Sequence, residues 1–363
     1  MSALKDKRVL ITGHTGFKGS WLALWLHHLG AKVYGYSLPP PTQPSNYELS
    51  AINGVLTGEW IADIRDREHM KRAIATCQPE VIFHLAAQPL VRMSYKEPYE
   101  TFDVNVMGTA SVLDAVRAHG RSCAVICITT DKCYENRERD EGYSEEEPMG
   151  GYDPYSASKG AAEILIASYR RAFFHPDTLS AHGVQLASAR AGNVIGGGDF
   201  AEDRIMVDLV KSMLQGTQMS IRNPNAIRPW QHVLEPLSGY LRLAEKMLAS
   251  PSATWCGGWN FGPSPESERT VREIVDLFFK EWGCGSWKDV SDEKHPHEAG
   301  ILRLKIDKAK KELGWSPIWN FETMIQRTVY WYQQIPSTAP QQLCLADIKA
   351  HCLLASEWHE PHE

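Results

Sequence analysis

Residues 7–12 (Lys-Arg-Val-Leu-Ile-Thr) run directly into Gly-His-Thr-Gly-Phe-Lys-Gly at 13–19, and apolar residues then recur at helical spacing over 18–29. Strand, glycine turn and helix in that order open a dinucleotide-binding unit. Glycine allows the tight turn and close backbone approach, and the helix N-terminus offers free amides to a pyrophosphate. Gly16 stands one place later than the middle glycine of the usual Gly-x-Gly-x-x-Gly, so the motif alone is weak and its place after the first strand carries the weight. The turn nominates Gly13, His14, Gly16, Phe17, Lys18 and Gly19 as cofactor contacts.

The alternation continues. Strands are expected at 32–36, ending near residue 62, at 81–85 and at 124–129, with helices at 65–76 and 99–119. That pattern predicts an α/β fold, a Rossmann-type doubly wound parallel sheet with a smaller mixed α/β substrate domain. Helical patterns at 203–215, 235–249, 270–282 and 307–313 are broken by Pro- and Trp-rich loops. The expected division is a dinucleotide-binding domain over 1–192 with a return segment at 229–258, a second domain from 193–228 and 259–335, and a C-terminal tail at 336–363.

The chain has 363 residues, 43% of them hydrophobic, enough for a sizeable core. No apolar run approaches the ~18 residues of a membrane span, and Lys5, Lys7 and Arg8 precede only a strand-length apolar stretch, so a cytoplasmic protein with no membrane partner is expected. A net charge of -6 without a basic run argues against a nucleic-acid partner. The eight cysteines form no Cys-x-x-Cys and read as free thiols. His295 and His297 flank a proline and read as a polar loop; no metal site is expected.

Tyr155 and Lys159 lie four residues apart, one helical turn on one face. A cation about 5 Å from the phenol, at an effective dielectric of roughly 20, stabilises the phenolate by about 3 kcal/mol, or about two pKa units. Tyr155 is thus a candidate base. Alone, such a pair is usually an ordinary piece of surface helix; the glycine turn changes that weighting. The strand at 124–129 delivers Thr129, Thr130, Asp131 and Lys132 to the carboxyl edge of the sheet, where open parallel sheets bind ligands. In isolation those residues read equally as a polar loop capping the next element.

The glycine turn, Asp63-Ile64, His84-Leu85-Ala86-Ala87-Gln88, Asn105-Val106-Met107-Gly108-Thr109 and Tyr155 to Lys159 together resemble the extended short-chain dehydrogenase/reductase family, over residues 7–332. Thr129-Thr130-Asp131-Lys132-Cys133-Tyr134 is similar to the active-site segment of nucleotide-sugar 4,6-dehydratases, which usually reads Thr-Asp-Glu. Lysine in place of that glutamate, and Gly-Tyr-Ser-Leu-Pro-Pro-Pro-Thr at 35–42, resemble the branch acting on CDP-D-glucose.

The resemblance implies a reaction in which NAD is reduced and reoxidised within each turnover. Tyr155 would take the C4 hydroxyl proton, with Lys159 tuning the phenol and Thr130 holding the hydroxyl. Asp131, neutral through a raised pKa, would protonate the departing C6 hydroxyl. Lys132, its pKa lowered, would remove the C5 proton or share that work with Asp131. The resemblance also implies cofactor contacts from Asp63, Ile64, Leu85, Ala86, Ala87, Thr129, Tyr155 and Lys159, although Asp63 could equally cap the following helix. Asn193, Arg204 and Arg228 would hold the sugar-nucleotide diphosphate, with Arg222 a competitor for Arg228, and Gln88 and Tyr134 would border the sugar. A homodimer or homotetramer is implied too. An epimerase would use Tyr155 and Lys159 without the elimination pair, and a non-catalytic NAD sensor would need neither.

The second strand ends at Tyr36-Ser37 with no arginine following to favour a 2′-phosphate. NAD is therefore expected to bind more tightly than NADP in a titration of the protein, and the reverse order would overturn that choice.

Overall fold

The computed structural model describes residues 3–291 and 302–357. His295 and His297 lie outside the described residues. Strand β1 (Arg8–Thr12) forms because Val9, Leu10 and Ile11 are aliphatic and entirely enclosed, the signature of a strand covered on both faces. The chain turns through the glycines into α1 (Phe17–His28), then β2 (Lys32–Ser37) and β3 (Gly58–Ile61). Helix α2 (Arg67–Cys77) is capped by Asp66, whose carboxylate accepts from the His69 amide. Asp63 accepts instead from the Arg65 amide and guanidinium, so it is not the cap. Strand β4 (Val81–His84) leads to a helical run from Pro98 to His119, continuous through one wide turn at Asp103–Met107 and ending in α3 (Gly108–His119).

Strand β5 (Cys123–Ile128) is buried throughout. Helix α4 (Pro154–Ala172) follows, its start fixed by Pro154 in the first turn and by Asp153 accepting from the Ser156 amide. Strand β6 (Val184–Ala191) is next in the sheet. Its partner β7 (Gly257–Phe261) arrives only after an excursion, giving a seven-stranded parallel sheet in the order β7-β6-β5-β4-β1-β2-β3. Side chains alternate across it: Val9, Ile11, Val81, Phe83 and Ile126 enter one core, and Leu10, Ile82, Val125 and Cys127 enter the other. The order reverses between β1 and β4, which places the ligand crevice at the carboxyl ends of β1, β4 and β5.

The excursion carries α5 (Ile205–Gln215) and the buried α6 (Leu234–Ala249). The return to the sheet runs past the expected residue 258, because Trp259 and Phe261 of β7 are fully buried. After β7, α7 (Val271–Trp282) begins with a capping box between Thr270 and Glu273. Two short ladders accompany these helices, Glu268–Thr270 with Ile227–Pro229 and Trp287–Asp289 with Met219–Ile221.

Helix α8 (Phe321–Gln334) is followed by α9 (Pro340–Glu357). Much of the segment expected as an appended tail is thus a docked helix, burying Leu343, Cys344, Ile348 and His351. Glu235 on α6 accepts from the amides of Ile318 and Trp319 and meets His351 Nε2 at 3.2 Å. Two of the buried α9 residues are Cys and His, so a search for aliphatic periodicity misses the face. At roughly 1.5–3 kcal/mol for each large apolar side chain, Leu343 and Ile348 alone contribute a sizeable share of a typical ~5–15 kcal/mol stability. A chain ending at Ser337 is expected to lose at least 10 °C in thermal unfolding or to fail to fold; an unchanged melting temperature would contradict this packing.

Candidate active site

Gly13 leaves β1 at φ +80°, and a Cβ there would sit 2.7 Å from the Ala86 amide nitrogen. A Cβ on Gly19 would sit 2.1 Å from the Gly13 carbonyl oxygen. Gly16 caps α1 without a side-chain hydrogen bond, and the first turn carries no acid. The turn is therefore a cradle of unsubstituted backbone ending at the positive end of a helix, which suits a pyrophosphate. Phe17 and Lys18 open the helix, and burial together with Arg204 pulls the Lys18 pKa down to about 8. His14 points away from the cradle: it is fully buried, with Nε2 2.6 Å from Glu59.

Across the switch point, the Leu85 amide donates to the Thr12 carbonyl and the Ala86 amide to the Thr12 hydroxyl. Leu85, Ala86 and Ala87 stay partly exposed along the crevice. Beneath them His84 bridges Thr12 at 2.7 Å and Thr109 at 2.9 Å, and burial pushes its pKa down to about 3. The imidazole is neutral and structural. Ile64 packs its side chain on Gly108, where a Cβ would come within 2.4 Å of it.

At the end of β5, Thr130 caps a short turn, its hydroxyl accepting from the Lys132 amide and donating to Asp131 at 3.0 Å. Tyr155, at the start of α4, is hydrogen-bonded to the same Thr130 side chain. Burial pushes the phenol up to about 12, partly opposed by Thr130 and by the charge of Arg204. The expected fall of the phenol toward neutrality is therefore not found in the protein by itself, where desolvation dominates. Lys159 is buried, its Nζ donates to the Ile128 carbonyl at 3.2 Å, and its pKa is lowered to about 8 by burial.

Asp131 and Lys132 are pushed in opposite directions. Burial raises the carboxyl's pKa against the pull of Lys132, Thr130, Lys18 and Arg228. Burial lowers the ammonium's pKa, and Arg228 and Arg204 lower it further, while Asp131 and Asp153 oppose them. These are the directions needed for an acid that holds its proton beside a base that sheds one. Gly192 passes so close that an added Cβ would lie 3.0 Å from Asp131 Oδ2, which places the half-buried Asn193 at the same edge. Arg204 has a buried Nε without a hydrogen-bond partner among the described residues. Arg222 is exposed and acts on Asp208, so Arg228 rather than Arg222 faces the cleft.

Besides His14, three expected contacts point elsewhere. Tyr134 is fully buried, its hydroxyl donating to Asn260 at 2.7 Å and accepting from Arg190 at 2.7 Å, with its ring stacked on Tyr143, so it cannot border a sugar. The Gln88 carboxamide is engaged by Leu90 and Thr101, which shapes the loop. The Thr129 hydroxyl donates to Glu163 at 2.5 Å. Glu163 itself escaped the sequence reading, as did Arg190 and the Asn105–Ser158 bond of 2.8 Å. A signal for Glu163 existed: positions 155, 159 and 163 form one stripe of a helix.

The fold and site define a dinucleotide-dependent enzyme of short-chain dehydrogenase/reductase type. The chain belongs to the GDP-mannose 4,6 dehydratase family, whose model matches residues 10–328. It is 52% identical over 329 residues to a CDP-glucose 4,6-dehydratase of Salmonella typhimurium, covering 91% of each chain. It is 28% identical to GDP-mannose 4,6 dehydratase 2 of Arabidopsis thaliana, over 89% of this chain and 86% of that one. Among solved structures, dTDP-glucose 4,6-dehydratase DesIV of Streptomyces venezuelae superposes with a TM-score of 0.75 at 23% identity, covering 90% and 97% of the two chains. The UDP-glucose 4-epimerase of Thermotoga maritima gives 0.74 at 22%, covering 91% and 99%.

Lys159 generates a stability prediction. Its folded pKa of about 8 lies below its unfolded value, so the folded state binds fewer protons between those values and stability rises with pH there. Below that window the buried charge costs about 3 kcal/mol, taking ~1.4 kcal/mol per pKa unit. Lys159→Met is expected to melt higher than the wild type at pH 7, with the difference shrinking as pH rises from 8 toward 10.5. A variant less stable than the wild type at pH 7 would refute the desolvation argument.

Proposed function

We propose that the chain is a CDP-glucose 4,6-dehydratase, converting CDP-D-glucose to CDP-4-dehydro-6-deoxy-D-glucose and water. The observation that carries the reading is the pairing of a buried Asp131 with a partly buried Lys132 beside Tyr155, their pKa values pushed in opposite directions, in a chain 52% identical to an enzyme of that name. The glycine cradle, blocked to any Cβ at Gly13 and Gly19, fits a dinucleotide. NAD, when bound, supplies the acceptor that takes the C4 hydride and gives it back at C6.

The remaining work belongs to the chain. Tyr155 accepts the C4 hydroxyl proton, with Thr130 orienting that hydroxyl and the Lys159 charge favouring the phenolate. The C4 ketone acidifies the C5 proton, which Lys132 removes through its neutral amine and returns to C5 as C6 is reduced. Asp131 delivers its proton to the C6 hydroxyl, which leaves as water. Arg204, Arg228 and Asn193 grip the diphosphate, for which the arginine fork is suited. Phe17, Lys18, Asp63, Ile64 and the backbone of residues 85–87 and 129 line the cofactor side. An epimerase on the same scaffold would have no use for an elimination pair.

Tyr99, Phe102, Met107 and Ile164 leave apolar side chains exposed on α4 and on the helical run before α3, and we assign this face to a homodimer, with a tetramer as the larger option. The enzyme acts in the cytoplasm.

Incubating the protein with catalytic NAD and CDP-, dTDP-, GDP- and UDP-sugars tests the reading. Loss of water from CDP-glucose is expected; a product of unchanged mass would mean an epimerase, and no turnover of any sugar would revive the sensor. Lys132→Met is expected to oxidise C4 yet block solvent deuterium entry at C5. Normal deuterium incorporation would remove Lys132 from the base role.

A further inference from the structure

Glu163 touches neither sugar nor cofactor in the scheme above, yet it is enclosed at 3% exposure and accepts four hydrogen bonds. Oε1 takes the Thr129 hydroxyl at 2.5 Å and Arg190 Nε at 3.0 Å. Oε2 takes the Ser188 hydroxyl at 2.7 Å and Arg190 Nη2 at 2.8 Å. The carboxylate thus ties α4 to the exit of β5 and to β6. One turn earlier on α4, Lys159 holds the adjacent Ile128 carbonyl. Two consecutive residues of one strand end are therefore pinned by two side chains a helical turn apart.

The consequence is a fixed relation between two pairs of groups. Tyr155 and Lys159 ride on α4, while Thr130, Asp131 and Lys132 begin one residue after Thr129. Nothing else among the hydrogen bonds of the described residues joins a side chain of α4 to the Thr129 side chain. We propose that Glu163 is a positioning residue that, through Thr129, holds the elimination pair in register with the oxidation pair. This rests on the dehydratase reading.

Thr129→Val is the sharpest test, because it removes one donor to Glu163 and leaves the Glu163–Arg190 pair intact. With NAD and CDP-glucose it is expected to lower kcat about 10- to 100-fold, the order seen when remote changes misplace reacting groups by about 1 Å, with KM within about twofold. Reduced nicotinamide should accumulate during turnover, since C4 oxidation continues while elimination slows. A melting temperature close to that of the wild type would separate this from loss of fold. Glu163→Gln, which keeps the shape and loses the charge, should show the same bound reduced cofactor in its folded fraction. Wild-type kcat, KM and absorbance in Thr129→Val would overturn the inference alone. A wild-type protein that dehydrates no nucleotide sugar would overturn the functional reading with it.

Discussion

The Glu163–Arg190 ion pair is the joint on which the sheet's carboxyl edge is assembled. Both side chains are almost completely removed from water, at 2% and 7% exposure. Taking two charges out of water costs several kcal/mol each, and the attraction between them recovers this only when the remaining lone pairs and protons are also satisfied. Here Arg190 spends its other Nη on the Tyr134 hydroxyl and the Glu145 carbonyl. Tyr134 passes the network to Asn260 on β7, whose amide and carboxamide reach Glu145, Tyr143 and Lys305. Helix α4 and strands β5, β6 and β7 thus share one polar network, and the network fixes geometry more than it adds stability.

Above that joint the cleft is dominated by positive charge. Lys18, Lys132, Lys159, Arg204 and Arg228 all act on Asp131, on Tyr155 or on each other. Like charges gathered in a desolvated crevice are unfavourable unless an anion completes them. The depressed pKa of Lys18 expresses that cost directly, since Arg204 and Lys159 add to the effect of its burial. A polyphosphate ligand relieves it, so charge repulsion in the protein becomes affinity for a dinucleotide and a sugar nucleotide. The apolar cores on the two sheet faces and the docked α9 hold these groups together in spite of the repulsion.

The parallel sheet was legible because its strands are short continuous apolar runs, each closed by a turn signal. The glycine turn was legible because a φ of +80° and two impossible Cβ positions leave glycine no alternative at Gly13 and Gly19. Tyr155, Lys159, Thr130, Asp131 and Lys132 meet at one edge because strand ends and the first turns of helices are local features. What was hidden is what tertiary contacts decide. Tyr134 closes the active-site segment two residues after Lys132, and nothing local says that its ring turns into a buried stack. The partner of Glu163 lies 27 residues away. The α9 face is disguised by a buried cysteine and a buried histidine.

Lysine stands at 132 where the active-site segment it resembles usually has a glutamate, and the surrounding charges favour the unprotonated form of either side chain. A cationic field lowers the pKa of any titratable group inside it. For a carboxyl that means losing a proton to become a carboxylate; for an ammonium it means losing a proton to become an amine. Either way the group is left unprotonated, which is the form a base requires. Arg228 and Arg204 act on Lys132 in this sense, and burial acts with them, because burial opposes the charged form and the charged form of lysine is the protonated one. For a glutamate, burial would oppose the arginines instead. A lysine base thus benefits from burial that a glutamate base would have to resist, and Lys132 sits partly buried just beyond the end of a fully buried strand.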